Sequence, residues 1–522
     1  MKSKYFKICV LFLLYNYALG QNLEFYVDVY GSDTWDGTSE TNVDGSDVGP
    51  WRTLNHAIEE VRLLRPSPPS PDSQVTIFML PGVYFLPSTI DMDERDSFIT
   101  IKSLYEEETV EISGAIALNG EWTEGDGGIL TTTFEGSCGE AFVGNQRLVP
   151  ARSPNLDEIS PNRIIARGPY HHIKDLLLET ETCTRDSTSY HQDCPEEDKM
   201  GFVFNNEFSS DWPYLEQTRV LVFHSWIAEY ATIDNITLEN GQSKVFFEEA
   251  LQHEPVGTYV PSSGWRFLIF NNLALLDMPG EYVCIDLGGI QAQFSYIPLE
   301  SQCENCPVVV AQLKNLFDMN KVSDVQFEGL RFEHSSSGGE DGYRGGGESA
   351  VRLRSSDNIL ITDCQFTMTG MIGLHTQGCQ RVHVTRSVFT DTGFHGVVFS
   401  YSDDGDGDFE NDQQNCMADN NMFDGCGMAS FWSPGCIWVG GYNNMTVANN
   451  DFTNTPFTPI NVKGNMPHGG SYWEDNGVIE PTRDDYVYHI EFNHIYQYGQ
   501  GILNDMGAVH AGKYPLLIEN NF

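Results

Sequence analysis

The chain has 522 residues, with 74 Asp and Glu against 29 Lys and Arg, for a formal net charge of −45. That balance excludes nucleic acid as a natural partner, because phosphate contact needs the opposite sign, and it disfavours anionic membrane surfaces. Calcium, a mineral surface or cationic polymers stay open as partners, as does a solvated acidic exterior with no partner at all.

At the amino terminus, Lys2, Lys4 and Lys7 precede the apolar run Ile8 to Leu14 and the small-residue exit Ala18, Leu19 and Gly20. Residues 1–20 therefore read as a secretory signal peptide, and no later run reaches the 18 or so apolar residues that a bilayer span needs. Secretion makes Asn235-Ile236-Thr237 and Asn444-Met445-Thr446 usable as glycan acceptors. Of the 12 cysteines, Cys9 leaves with the signal, and an odd number remains. Outside the cell this predicts disulfides with one thiol unpaired or paired beyond residue 522, and Cys183 with Cys194 and Cys303 with Cys306 lie nearest in sequence. A single CxxC does not make a zinc site.

Phe25-Tyr26-Val27 opens a first strand, and the Asp, Gly, Ser and Thr between Gly31 and Gly49 form a loop. Trp51, Leu54, Ala57, Ile58, Val61 and Leu64 then recur at helical spacing until the Pro66 to Pro71 cluster ends the run. Val75 to Leu80, Ser97 to Ile101 and Val110 to Ile116 predict early strands, with Pro81-Gly82 as a sharp turn. Residues 21–163 are thus assigned to a cap and first turns of a coil. Between 164 and 297 come long alternating stretches, Thr218 to Phe223, Thr232 to Leu238 and Gly264 to Phe270, which predict an antiparallel β insertion.

Residues 298–522 repeat one pattern. With an aromatic or aliphatic anchor at position zero, apolar or small residues recur at minus seven and minus five. The copies are Val325, Phe327, Phe332; Ile359, Ile361, Phe366; Val382, Val384, Phe389; Cys416, Ala418, Phe423; Met445, Val447, Phe452; and Tyr488, Ile490, Ile495. Period-two alternation makes these strands, and the shortest anchor step, 23 residues from 366 to 389, is too short for a helix-pair repeat and fits one rung of a parallel β-helix. Asn420, Asn421, Asn449, Asn450, Asn493, Asn520 and Asn521 mark one corner, where Asn tolerates left-handed backbone and its amide can bond the amide above. Gly370, Gly393, Gly427 and Gly499 mark the next. Leu516 and Ile518 open a copy whose anchor would be residue 523, so the chain is expected to continue. The fold class is all-β: a right-handed parallel β-helix with an amino-terminal capping helix and an inserted antiparallel region.

Tyr26-Val27, Gly31-Ser32-Asp33, Asp36-Gly37-Thr38, Pro50-Trp51-Arg52-Thr53-Leu54 and Ala57-Ile58 resemble the cap of secreted pectin-lyase-like β-helix proteins. Phe142 to Arg147, Pro150 to Asn155, Pro279 to Tyr282, Ile437 to Gly440 and Asn504 to Gly507 together resemble the large β-helix glycosidases near glycoside hydrolase family 141. The resemblance implies hydrolysis of an extracellular polysaccharide without a required cofactor, with Asp505 in the family's aspartate-glycine motif as a catalytic carboxylate. Glycoside hydrolysis needs a second carboxyl about 5 to 9.5 Å away, expected a rung or more later and so beyond Phe522. His510 stands where the family more usually has an aromatic residue.

Nine residues past their anchors, His375, Asn461 and Asn504 are expected on one outer face with Asp505 and Lys463, as sugar ligands. Trp473 and Trp438 are the candidate sugar-stacking aromatics. Asp404, Asp406 and Asp408 imitate the first ligands of a calcium loop, but Phe409 takes the required glycine place. The alternative function is a non-enzymatic, acidic extracellular-matrix or biomineral protein holding calcium.

Overall fold

The computed structural model describes residues 22–156, 167–177, 200–205, 208–224, 227–251, 265–299, 306–337, 348–400, 414–431, 433–440, 443–462, 488–500, 502–503, 506–511 and 516–522. Three parallel sheets wrap one axis. The first runs from Leu23–Val27 through Val75–Met79 and Ile99–Ser103 to Ser323–Glu328, Asp357–Thr362 and onward to Leu516–Glu519. The second begins at Gly82–Phe85 and ends at His494–Ile495, and the third begins at Ile90–Met92 and ends at Val509–Ala511. Each rung visits them in that order, so this is the expected right-handed parallel β-helix.

The predicted repeat positions are stacked positions. Val325 pairs with Ile359 and Ile359 with Val382, while Cys416, Met445 and Tyr488 continue the same column. The anchors Phe332, Phe366, Phe389, Phe423 and Phe452 stack ring on ring at 4.9, 4.7, 4.8 and 4.9 Å. That is the inter-strand spacing itself, so backbone pairing and aromatic stacking reinforce one another.

At the corner between the first and second sheets, Asn420, Asn449 and Asn520 take left-handed backbone, with Phe492 in the same conformation on the intervening rung. The next residue builds an amide ladder. Asn421 Nδ2 donates to Asn450 Oδ1 (3.0 Å), Asn450 Nδ2 to Asn493 Oδ1 (3.0 Å) and Asn493 Nδ2 to Asn521 Oδ1 (2.9 Å). Ser387 occupies this position one rung earlier, its backbone N–H donating to Asn421 Oδ1 at 2.9 Å. Two rungs share a tighter bend, because a Cβ on Gly393 would sit 1.8 Å from the Gly370 carbonyl oxygen.

The helix Leu54–Leu64 is capped by the Thr53 side chain, which accepts from His56 N, and it buries Leu54, Ala57, Ile58 and Val61. These join the solenoid core, as does Trp51, stacked on Phe25 at 4.9 Å, so the helix closes the first rung against solvent.

The antiparallel insertion is larger than the 164–297 expected. It begins at Ala115–Ala117, directly after the second-sheet strand Val110–Ser113, and ends at Val308–Ala311, just before the third-sheet strand Phe317–Asn320. Cysteine usage also differs from expectation. Cys138 bonds Cys284 across 146 residues and Cys306 is disulfide-bonded, but Cys364, Cys379, Cys416, Cys426 and Cys436 are buried in the rungs outside any disulfide. They serve there as small apolar core residues, so more than one cysteine stays outside the disulfides.

Candidate functional site

The outward side chains of the third sheet form one column. In successive rungs it holds Asp318, Arg352, His375, Val398, Trp438, Asn461 and His510. His375 and Asn461 stand three rungs apart in this column, and Trp438, expected on a loop, lies on the strand next to Asn461. The place above Asn461 belongs to His510, not to the residue nine past the anchor, so the count that proposed Asn504 fails at that rung. Asn504, Asp505, Lys463, Trp473, Asp404, Asp406, Asp408, Cys183, Cys194 and Cys303 lie outside the described residues. Asn235 and Asn444 are both exposed.

Arg352, Val398 and His510 were not singled out as ligands by sequence. Val398 follows its anchor by nine residues, as His375 and Asn461 do, but Trp438 and His510 follow theirs by 15 and Arg352 by 20.

Although they face outward, His375, Val398 and Asn461 are buried. Ser400 Oγ donates to Thr376 O (3.1 Å), which commits its single proton and leaves it to accept from His375 Nε2 at 3.1 Å. Asn461 Nδ2 reaches Thr458 O at 3.4 Å, while Asn461 Oδ1 is buried with no partner among the described residues, as is Nδ1 of His510 in the next rung. A buried acceptor without a donor costs about 1–3 kcal/mol unless water or a ligand supplies one. Gly435 allows the close approach: a Cβ there would come within 2.9 Å of Asn461 Nδ2. Trp438 packs at the edge of the apolar patch of Met371, Ile372, Phe394 and Val398.

One side of this face is bordered by the insertion. Leu221, Phe223, Ala228, Leu268 and Phe270 pack on Met428, Ala429, Phe431, Phe457, Ile502 and Leu503, which lie in the turns leading from the second sheet to the third. Tyr230 Oη donates to Ala429 O and Ala228 N to Phe431 O, each at 3.0 Å. Gly507 N donates to Thr458 Oγ1 at 3.2 Å, which ties the chain just past residue 505 to the residue whose carbonyl meets Asn461.

The motifs Phe142 to Arg147, Pro150 to Asn155 and Pro279 to Tyr282 hold the insertion in place. Arg147 Nε donates to Asp391 Oδ1 and its Nη2 to the carbonyls of Thr369 and Asp391, all at 2.9 Å. Arg152 is fully buried and donates to Pro154 O, Arg167 O and Pro169 O. Glu281 accepts from the backbone of Arg152 and Met278.

Burial pushes the Glu281 carboxyl up to about 7, and burial with the adjacent Glu111 pushes Glu333 upward against the pull of Arg331. Burial lowers His171 to about 4 and His334 to about 3, with nearby arginine charges adding to both. The two carboxyls keep protons in the fold that the unfolded chain gives up above its ordinary 4.5, so their contribution to stability declines as pH rises through 7. Each histidine stays neutral where the unfolded chain takes a proton below 6.5, so their contribution declines as pH falls from there. The opposing slopes cancel between 4.5 and 6.5. Thermal unfolding scanned across pH is expected to show its highest midpoint in that window, with a further loss of about 1 kcal/mol from Glu281 alone on passing from pH 6.5 to alkaline pH. A midpoint that climbs from pH 6.5 to 8 would contradict this.

Residues 294–452 match the family description "Right handed beta helix region". A search of curated proteins returns no match. Among solved structures, the chain is similar to one titled "Glycoside hydrolase", at 16% identity and TM-score 0.69, covering 96% of this chain and 95% of that one. A second, a complex of XylC with xylose, aligns at 10% identity and TM-score 0.46 over 91% of this chain and 62% of that one.

Proposed function

We propose that the chain is a secreted glycoside hydrolase that binds an extracellular polysaccharide along the outer face of the third sheet and cleaves it with Asp505 as one catalytic carboxylate. The observation that carries this is the buried, unpartnered Asn461 Oδ1, set beside Trp438 and His510 in one axial column. A sugar satisfies such a face: its hydroxyls donate to the amide oxygen and its apolar face covers the indole. The near full-length likeness to a fold titled as a glycoside hydrolase supports the same reading. Asp505 enters through its aspartate-glycine motif, and the Gly507 to Thr458 bond supports an approach of that segment to Asn461.

The test is release of reducing ends from a panel of plant, algal and animal polysaccharides. Asp505→Asn is expected to abolish release while leaving glycan binding intact. Turnover equal to that of the parent protein would remove Asp505 from the mechanism.

A further inference from the structure

The solenoid's arginines are almost all neutralised. Among the described residues, Arg331 meets Glu333 at 2.9 Å, Arg354 meets Asp318 at 2.8 Å, Arg381 pairs with Asp357 and Arg386 with Asp363. In a chain of net charge −45 this is the expected outcome, since 74 carboxylate residues face 29 lysines and arginines. Among the described arginines on the rungs beyond the cap, Arg352 is the exception. Its Nε and Nη2 both donate to a single neutral oxygen, Gln377 Oε1, at 3.2 and 2.9 Å. Among the described residues no carboxylate joins it, although the strand carrying it, Ser349–Arg354, also carries the paired Arg354.

Arg352 lies directly below His375 in the outward column, three rungs from Trp438 and four from Asn461. The Gln377 amide holds the guanidinium from one edge and supplies no charge. This leaves the remaining amino group of a planar, permanently charged fork able to meet an anion. At about 4.8 Å per rung the cation stands roughly 14 Å along the axis from the indole. That separation belongs to an oligosaccharide rather than a single sugar.

Resting on the reading of this column as a glycan site, we propose that its substrate is an anionic polysaccharide, whose carboxylate or sulfate group is taken by Arg352. Selection of one anion by one unneutralised arginine also suits a protein whose overall field repels anions. Long-range attraction is absent, so only a ligand seated against the guanidinium gains from it.

Titration calorimetry on the full chain with three size-matched oligosaccharides tests this: oligogalacturonate for the carboxylate, a sulfated galactan fragment for the sulfate, and neutral xylo-oligosaccharide. One anionic probe is expected to bind at least tenfold more tightly than the neutral one. Arg352→Met is expected to erase that preference, while Arg352→Lys, which keeps the charge, preserves part of it with an unchanged unfolding midpoint. Equal binding of neutral and anionic probes, or a preference untouched by Arg352→Met, overturns the anionic substrate and leaves the groove reading standing. Failure of all three probes together with a wider neutral panel would overturn the groove reading too.

Discussion

Asp391→Ala is expected to lower the unfolding free energy by about 3–5 kcal/mol, the cost of stranding a buried charge. Its partner, Arg147, sits 244 residues earlier in a hairpin of the insertion, and the two side chains are 7% and 5% exposed, so water cannot replace the lost carboxylate. The carbonyls of Thr369 and Asp391 hold the guanidinium where it is and prevent it from swinging to solvent. Replacing both residues together, as Arg147→Met with Asp391→Leu, removes the charges and keeps the volume, and is expected to recover most of the loss. Urea unfolding of the two single variants and the double variant measures this directly. A double variant no more stable than Asp391→Ala would mean that the pair does more than neutralise itself.

The same pair shows where sequence reading reaches its limit. Rung alternation is local, and stacking forces each rung to repeat it, which is why the anchors from Phe332 to Phe452 align from the sequence alone. Asn corners were legible for the same reason: left-handed backbone and amide ladders restrict what can stand there. Turns are not so restrained. Lengthening a surface turn costs little loop entropy, so the connection from the second to the third sheet varies freely. Counting nine residues from an anchor found His375 and Asn461, and missed His510 and Arg352. Contacts between insertion and solenoid, such as Arg147 with Asp391, join segments with no shared periodicity at all. The buried thiols misled for a related reason: the count of cysteines says how many can pair, but the core position of Cys416 or Cys436 only emerges once rungs are stacked.

Phe423→Ala should prove as damaging as the loss of the Arg147 to Asp391 pair, through packing alone. The ring is 0% exposed and is sandwiched between Phe389 at 4.8 Å and Phe452 at 4.9 Å, while Gly396 leaves room for only a hydrogen against its edge. Truncating a phenylalanine in such a setting costs about 3–5 kcal/mol, because backbone pairing on both sides prevents the cavity from closing. Met422, its neighbour on the strand Met422–Cys426, points outward and is 41% exposed, so Met422→Ala should change stability by about 0.5 kcal/mol or less. In a solenoid each rung contacts only its neighbours, and a cavity at Phe423 interrupts the aromatic column between Phe389 and Phe452. Denaturant unfolding followed by tryptophan fluorescence and by circular dichroism should then give non-coincident transitions for Phe423→Ala and a single transition for Met422→Ala. Coincident, parent-like curves for Phe423→Ala would show that the stacked rings contribute little beyond filling space.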